Sequence, residues 1–415
     1  MKSLMMLIGG TVVAAFIATT TEVGYADTAE VLPKGNFYFN VDYKHYIPWT
    51  KRYDRDGNSQ DAAADFNGVM NATIFPSLKI FAGAPFNIAN PNIGTTVTTF
   101  KYTYDRVEPQ LAYGITDRLS FGVKIPYIWY KNDVNALLDS TNANIGLNPV
   151  FNPANPAGAT NLPLIPVAMG GRKMTSEDML KLLGPGLPGL PGYGFTRFQT
   201  WEHEGLGDIE AGLKYQYYKS DMWRLAAGVG VLFPTGDQED INNLTDQNLG
   251  GGSYAGLFRL YNDCFPTKNL VLNTTLYYTY TFSQNRVRRV SGPHEPLTRD
   301  IRNVTIDPGD AFEVEASAKY DFSDTPWLQG TSLELTYHYT DVFNSDAPTA
   351  PILERETRYE EQTFIAKLNY STIPLFMKKE FPVPMNFYVG YRNKFAGNNN
   401  AFKTQYIQTG LSIYF

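Results

Sequence analysis

From residue 35 onward the chain is a succession of short segments in which apolar and polar side chains alternate. In "LSFGVKIPYIWYK", Leu119, Phe121, Val123, Ile125, Tyr127 and Trp129 alternate with Ser120, Gly122, Lys124 and Pro126. In "LVLNTTLYYTYTF", Leu270, Leu272, Leu276, Tyr278, Tyr280 and Phe282 stand against Asn273, Thr275, Thr279 and Thr281. A period of two puts one set on each face of a strand. The placement of charge separates this pattern from a soluble sheet. The polar faces carry Glu, Lys and Arg at mid-strand, and the apolar faces of the clean strands carry none. Tyr and Trp gather near the strand ends, as in Tyr215 and Tyr217, Trp223, and Tyr337 and Tyr339. Amphipathic rings of this kind belong at the two membrane interfaces. A tilted strand of about ten residues crosses the hydrocarbon, and a closed sheet pairs every backbone group without leaving an edge.

About twelve such strands can be counted, which matches the strand lengths and turn spacing of outer-membrane barrels. Short connections fall near 114–118, 219–222, 263–268, 323–331 and 371–384. Long ones fall near 47–99, 132–204, 235–252, 283–309 and 343–358, with a short last outer loop near 395–401. The expected fold is therefore all-β, a transmembrane up-and-down antiparallel barrel with long extracellular loops. Residues 68–81 could add a hairpin and raise the count to fourteen. Pro126 lacks a ladder donor inside a good strand, which predicts a bulge there. The 132–204 loop is too long to be a simple connection. Its "TSEDMLKLL" predicts a helix capped by Thr175 or Ser176, with Met179, Leu180, Leu182 and Leu183 on one face. That loop is expected to act either as a plug in the mouth or as an external cap.

The first residues, "MKSLMMLIGGTVVAAFIATTTEVGYADT", read as a secretory signal peptide over 1–26. Lys2 gives the positive start, residues 4–18 the apolar run, and Gly24 and Ala26 the small residues before cleavage. Residues 27–415 then form one barrel domain. Removing Lys2 and Glu22 takes one charge of each sign, so the net charge stays at −6. That mildly acidic balance argues against a nucleic-acid partner. The single cysteine, Cys264, can form no internal disulfide, and no CxxC or CxxCH is present for zinc or haem. No cofactor is expected.

Strand alternation assigns a lumen lining of Lys124, Asp208, Glu210, Lys214, Arg224, Arg259, Glu313, Glu315, Lys319, Glu334, His338, Lys367 and Arg392. Both signs are present, which suits a channel lining without strong ion selectivity; such charges can equally pair across the lumen and fill it. Twelve strands leave a lumen between a packed eight-stranded barrel and a sixteen-stranded porin. The four histidines, His45, His203, His294 and His338, lack a second His at helical zinc spacing, and GxSxG is absent. The chain is not expected to be an enzyme; a surface hydrolase would have to be built on His203 or His338. The 283–309 loop carries Arg286, Arg288, Arg289, Arg299 and Arg302, which could meet lipopolysaccharide or simply be solvated.

Three stretches, "EPQLAYGITDRLSFGVKIPY" (108–127), "GLGDIEAGLKYQYY" (205–218) and "AGVGVLFPTGD" (227–237), resemble the outer-membrane channel family associated with meta-pathway phenol degradation. The Tyr113–Leu119 turn, Gly205, Gly207, Asp208, Gly212, Lys214, Tyr215 and Pro234–Asp237 carry the likeness. The resemblance implies an outer-membrane barrel passing aromatic or other hydrophobic small molecules. The expected function is a passive channel for small solutes in the outer membrane of a Gram-negative bacterium. The alternative is a structural barrel or sheath around a periplasmic partner such as a cytochrome. The expected partners are outer-membrane lipid and lipopolysaccharide, the barrel-assembly machinery and a small-molecule solute.

The final strand turns Ile407, Leu411, Ile413 and Phe415 to one side. A C-terminal aromatic strand of this kind resembles the signal that barrel-assembly machinery reads, with Leu411, Ile413 and Phe415 as its residues. Deleting Phe415 is expected to lower the yield of membrane-inserted barrel, measured as heat-modifiable protein in outer-membrane fractions; an unchanged yield would refute the assignment.

Overall fold

The computed structural model describes residues 28–154, 161–292 and 297–415. The signal-peptide reading and His294 lie outside the described residues. The principal strands are β1 (Phe37–Tyr46), β2 (Asn92–Thr116), β3 (Leu119–Lys124), β4 (Tyr127–Asp139), β5 (Trp201–Leu206), β6 (Ile209–Lys219) and β7 (Trp223–Phe233). They continue with β8 (Ala255–Thr267), β9 (Leu270–Thr281), β10 (Ala311–Asp321), β11 (Thr331–Val342), β12 (Tyr359–Ser371), β13 (Met385–Gly397) and β14 (Gln405–Tyr414). All pair antiparallel with sequence neighbours, and β1 closes the sheet by pairing with both β14 and β2.

Two staves of the barrel are interrupted. β3 and β4 both lie along β2, at Gln110–Thr116 and Thr95–Val107 respectively. β6 pairs with β3 and β5 with β4, so these two also form one stave. The result is a closed twelve-stranded barrel. Residues 68–81 do not add a hairpin: Gly68–Asn71 pairs with the outer end of β2, and Pro76–Ala82 forms a 3₁₀ turn. Pro126 falls at the break between β3 and β4. Its carbonyl accepts from Gly207 N at 2.9 Å, and Ile125 N donates to Pro109 O at 3.0 Å, so the interruption keeps its backbone partners.

One end of the barrel has the short turns and the other the long loops. At the short end, 117–118, 220–222 and 268–269 join neighbouring staves. At the long end, β2 runs for 25 residues, far beyond the ~10 needed to cross a membrane, and stands clear of it with β4. The large outer loop is therefore narrower than its sequence limits suggest, spanning 140–200. Its helix α1 (Ser176–Leu183) begins with Thr175 as N-cap. Asp178 N donates to Thr175 Oγ1 at 3.2 Å and Thr175 N donates to Asp178 Oδ2 at 2.9 Å, a reciprocal capping box. Met179 and Leu182 are buried beside Phe75, Leu78, Phe81, Ile145, Leu164 and Leu190. The outer loops thus share an apolar core and form a folded cap.

The outward face of the staves is apolar and uncovered by protein. Val229 is 54 % exposed and Leu260 53 %, with Phe121, Leu213, Leu276, Leu335, Phe364 and Leu411 likewise exposed around the ring. A continuous apolar surface of this extent is stable only against lipid. Val229→Arg, at the middle of β7, is expected to destabilise the inserted barrel by ~2–4 kcal/mol. Denaturant titration in lipid vesicles checks this; a cost indistinguishable from zero would place Val229 outside the membrane.

Candidate functional site

The inward face of the barrel falls into layers, beginning at the short-turn end. Residues 28–34 enter the lumen ahead of β1. Ala29 N donates to Asp263 Oδ2 at 3.0 Å, and Gln216 Nε2 donates to Ala29 O at 2.7 Å. Leu32 N donates to Ser120 Oγ at 2.8 Å, and Lys34 N donates to Asp117 Oδ1 at 3.0 Å. Leu32 packs on Tyr38 and Ala112, and Ala29 on Ala226 and Tyr261. The approach is close enough to require glycine at 114, where a Cβ would lie 2.0 Å from the Pro33 carbonyl oxygen. Beside this segment is a cavity of about 430 Å³. Lys319, Glu334 and Lys367 line it, with Glu30, Asp42 and Tyr388.

Above the cavity the wall carries an ion-pair chain. Glu108, fully buried, lies 2.6 Å from Lys44 Nζ and 2.6 Å from Arg106 Nη2. Lys124 lies between Glu108 at 3.8 Å and Glu210 at 3.5 Å, and Arg259 pairs with Glu210 at 2.6 Å. The chain crosses from β1 through β2, β3 and β6 to β8. On the facing wall His338 Nε2 is 2.9 Å from Glu313 Oε2, beside buried Glu315. Lys394 Nζ donates to Glu361 Oε1 at 2.5 Å, and Arg392 Nη1 donates to Tyr406 Oη at 3.0 Å. Taking one such charge out of water costs several kcal/mol, which only a partner this close offsets.

An aromatic layer covers the charges at the outer mouth. Tyr46 lies 4.6 Å from Tyr406 and 4.8 Å from Tyr104 between ring centroids. Trp49 stacks on Tyr102 at 5.5 Å, and Tyr102 meets Phe402 at 4.9 Å. Phe198, from the large outer loop, packs on Phe66 at 5.3 Å and Phe100 at 5.9 Å. The loop is therefore a cap that also sends one ring into the mouth.

The thirteen sequence-assigned lining residues fall in different settings. Lys124, Glu210, Arg259, Glu313, Glu315, His338 and Arg392 lie in the buried charged layer. Lys319, Glu334 and Lys367 line the cavity, with Lys367 Nζ 4.0 Å from Glu334. Arg224 lies over the Phe265 ring and 3.5 Å from Glu30, and Lys214 lies over the Tyr261 ring at 4.3 Å. Asp208 is a clamp: its carboxylate accepts from Gly236 N at 3.0 Å and Gly251 N at 2.5 Å, tying the 234–254 loop to the break before β6. A Cβ at Gly250 would lie 2.1 Å from Asp208 Oδ1, so the glycine is required. Thr235 Oγ1 completes the clamp, donating to Gly207 O at 2.7 Å and accepting from Ile209 N at 3.0 Å.

Sequence reasoning missed Asp42, Lys44, Arg106, Glu108, Glu361, Lys394 and the aromatic layer. The long connection expected near 47–99 takes in only the outer end of β2, and the inward run Phe100, Tyr102, Tyr104, Arg106, Glu108 and Gln110, which recurs at every second place, is not among the lining residues that alternation assigned. In the arginine-rich loop Arg286 and Arg288 are buried, whereas Arg299 and Arg302 stay exposed. Gln284–Arg289 and Ile301–Ile306 form a hairpin in which Arg286 donates to Gly251 O and Ser253 Oγ, and Arg288 pairs with Glu239 at 3.2 Å. Burial lowers Arg286 to about 10 and raises the Glu239 carboxyl, against the opposing pull of Arg288. Arg289 donates to the carbonyls of Tyr193, Gly194, Ile241 and Thr298. His203 stacks on Trp201 at 5.1 Å, with Nε2 3.2 Å from Asp237 Oδ2. His45 lies on the outward face, 2.7 Å from Asp105.

These features define an outer-membrane β-barrel of the channel type, closed by its own side chains and by an inserted N-terminal segment. The family described as "Putative MetA-pathway of phenol degradation" matches residues 79–399, and the chain belongs to that family. No curated protein matches the sequence. Among solved structures, an outer membrane channel from Pseudomonas putida F1 is similar at 12% identity and a TM-score of 0.53, covering 93% of this chain and 98% of that one. The toluene transporter TbuX of Ralstonia pickettii aligns at 12% identity and TM-score 0.36, over 92% and 90% of the two chains. A Pseudomonas aeruginosa FadL homologue aligns at 10% and 0.35, over 97% and 93%. The first likeness shows the fold; the other two are too distant to add to it.

Glu108 is the carboxylate that three buried cations, Lys44, Arg106 and Lys124, share. Glu108→Gln is expected to destabilise the barrel by ~3–5 kcal/mol, the usual cost of breaking a buried pair. The exposed pair Lys131–Asp133, at 3.0 Å, is screened by water, so Lys131→Gln is expected to leave stability almost unchanged. Guanidinium unfolding in detergent compares them; equal losses would mean that water reaches the charged layer.

Proposed function

We propose that the protein is an outer-membrane channel for small apolar solutes, aromatic ones among them, and that solute passes only when residues 28–34 leave the lumen. The observation that carries this reading is the order of layers: an aromatic mouth, a charged layer with its charges already paired, and an open cavity beyond the inserted segment. Paired, buried charges offer little to a hydrated ion. Aromatic faces at the mouth give an apolar ring contacts of ~0.5–1.5 kcal/mol per pair beyond area burial. The alternative of a sheath around a periplasmic partner is disfavoured, because the chain's own segment occupies the lumen.

Single-channel conductance in planar bilayers, paired with uptake of toluene or phenol by proteoliposomes, tests the proposal. Intact protein is expected to conduct weakly yet admit the aromatic solute. Deletion of 28–34 is expected to raise conductance several-fold, and deletion of 140–200 to raise it further. Silence in all three forms, with no uptake above empty vesicles, would leave a structural barrel instead.

A further inference from the structure

The short-turn rim is uneven. Most of its turns are tight, but 322–330 and 372–384 project from adjacent parts of the wall. The second is a fixed fold. Helix α2 (Ile373–Met377) follows Thr372, whose Oγ1 donates to Val383 O at 2.7 Å and accepts from Met385 N at 3.0 Å, drawing the two ends of the turn together. Phe376 N donates to Thr372 O at 2.8 Å, and Glu380 N to Leu375 O at 2.9 Å. Lys378 Nζ reaches Gln329 Oε1 at 3.4 Å and joins the two turns. On one side this lip borders the lumen, where Gly330, Ile373 and Pro374 line the cavity. Its remaining surface is bare and apolar: Trp327 is 81 % exposed and Met377 75 %, with Phe376 also exposed. Lys378 and Lys379 follow directly and are exposed too.

We infer that this lip is a lipid-contact surface, seated in the headgroup layer of the leaflet on the short-turn side. Three observations favour lipid over a protein partner. The patch continues the lipid-facing belt, because Tyr320, Leu333, Tyr370 and Phe387 at the ends of the flanking strands are exposed on the outward face. Its composition is interfacial, with one Trp and a Met–Phe pair followed by lysines whose stems can snorkel. Lys378 and Lys379, with Glu380 beside them, place two ammonium groups at the rim, where headgroup phosphates draw lysines. The lip is held by hydrogen bonds within and between its turns, so a partner is not needed to order it. This contact stands independently of what the barrel carries.

The test attaches a nitroxide at Met377→Cys in the full chain carrying Cys264→Ser, refolded into vesicles of phosphatidylethanolamine and phosphatidylglycerol. Heat-modifiable gel mobility verifies that the barrel is formed. A second label at Asp221→Cys, on a tight turn of the same rim, reports the aqueous setting. At Met377→Cys, collisions with oxygen are expected to exceed those with a nickel chelate several-fold, and at Asp221→Cys the ratio is expected to reverse. Lys378→Glu with Lys379→Glu is expected to move the Met377→Cys label towards water. Nickel collisions dominating at both positions would overturn the inference and leave the patch as a docking surface for a periplasmic protein. Oxygen dominance at Met377→Cys that survives the charge reversal would overturn the role given to the lysines.

Discussion

Hydrocarbon supplies no water to a backbone amide, and the rest of this structure depends on that. An unpaired N–H or C=O in lipid costs several kcal/mol, so a spanning sheet must close. Closure here is made by β1, which pairs with β14 from Tyr38 to Tyr46 and with β2 from Phe37 to His45. The last residue takes part: Phe37 N donates to Phe415 O at 3.1 Å and Phe415 N to Phe37 O at 2.9 Å. The same requirement governs the interruptions. Where Pro126 and Gly207–Asp208 break neighbouring staves at one level, the freed groups are met by one another, by the Thr235 hydroxyl and, on the adjoining loop, by the Asp208 carboxylate. The motif residues of the family sit at this joint, which explains why Gly, Asp, Thr and Gly are needed there.

Closure at twelve strands also determines the interior. With the outward face given to lipid, every second residue must point inward, and polar residues placed there lose water. The charges of this lumen are therefore arranged to satisfy one another. Glu108 faces Lys44, Arg106 and Lys124, and Glu210 faces Lys124 and Arg259, so each anion holds more than one cation. A network of this kind rigidifies the wall when fully satisfied. It also removes those side chains from the service of a passing ion.

The membrane-spanning part was legible in the sequence because lipid imposes a strict period of two. Leu119 to Trp129 and Leu270 to Phe282 read correctly for that reason. The helix at Ser176–Leu183 was legible too, since a cap residue, an acidic first turn and an apolar face are local signals. The outer half of β2 was not. Above the membrane its outward residues Lys101, Thr103 and Asp105 no longer face lipid while Phe100, Tyr102 and Tyr104 turn inward, so the alternation is inverted relative to the spanning half. The partners of the arginine cluster were not legible for a related reason: Arg289 bonds to carbonyls from three separate segments, and no sequence spacing encodes such long-range partners. The inserted segment 28–34 is equally silent, being short, irregular and held by side chains more than 80 residues away.

How firmly that segment is held bears on whether the barrel can open. Its hydrogen bonds at Ala29, Leu32 and Lys34 are worth ~0.5–1.5 kcal/mol each net of water. The Glu30–Arg224 pair is partly exposed and adds ~0–1 kcal/mol. Burial of Ala29 and Leu32 contributes ~2–3 kcal/mol more. Against this stands the ordering of the backbone, ~1–2 kcal/mol for each residue fixed. Gains and losses are of similar size, so the segment is held in the lumen with little margin. A single-ring aromatic that buries ~150 Å² of apolar surface gains ~4 kcal/mol at 25 cal/mol/Å². A solute of that size can therefore compete with Leu32 for the wall at Tyr38 and Ala112, whereas a small ion, with no apolar area to bury, cannot. On the proposed function, the same segment that blocks the lumen is thus weak enough to yield to an aromatic solute gathered at the mouth.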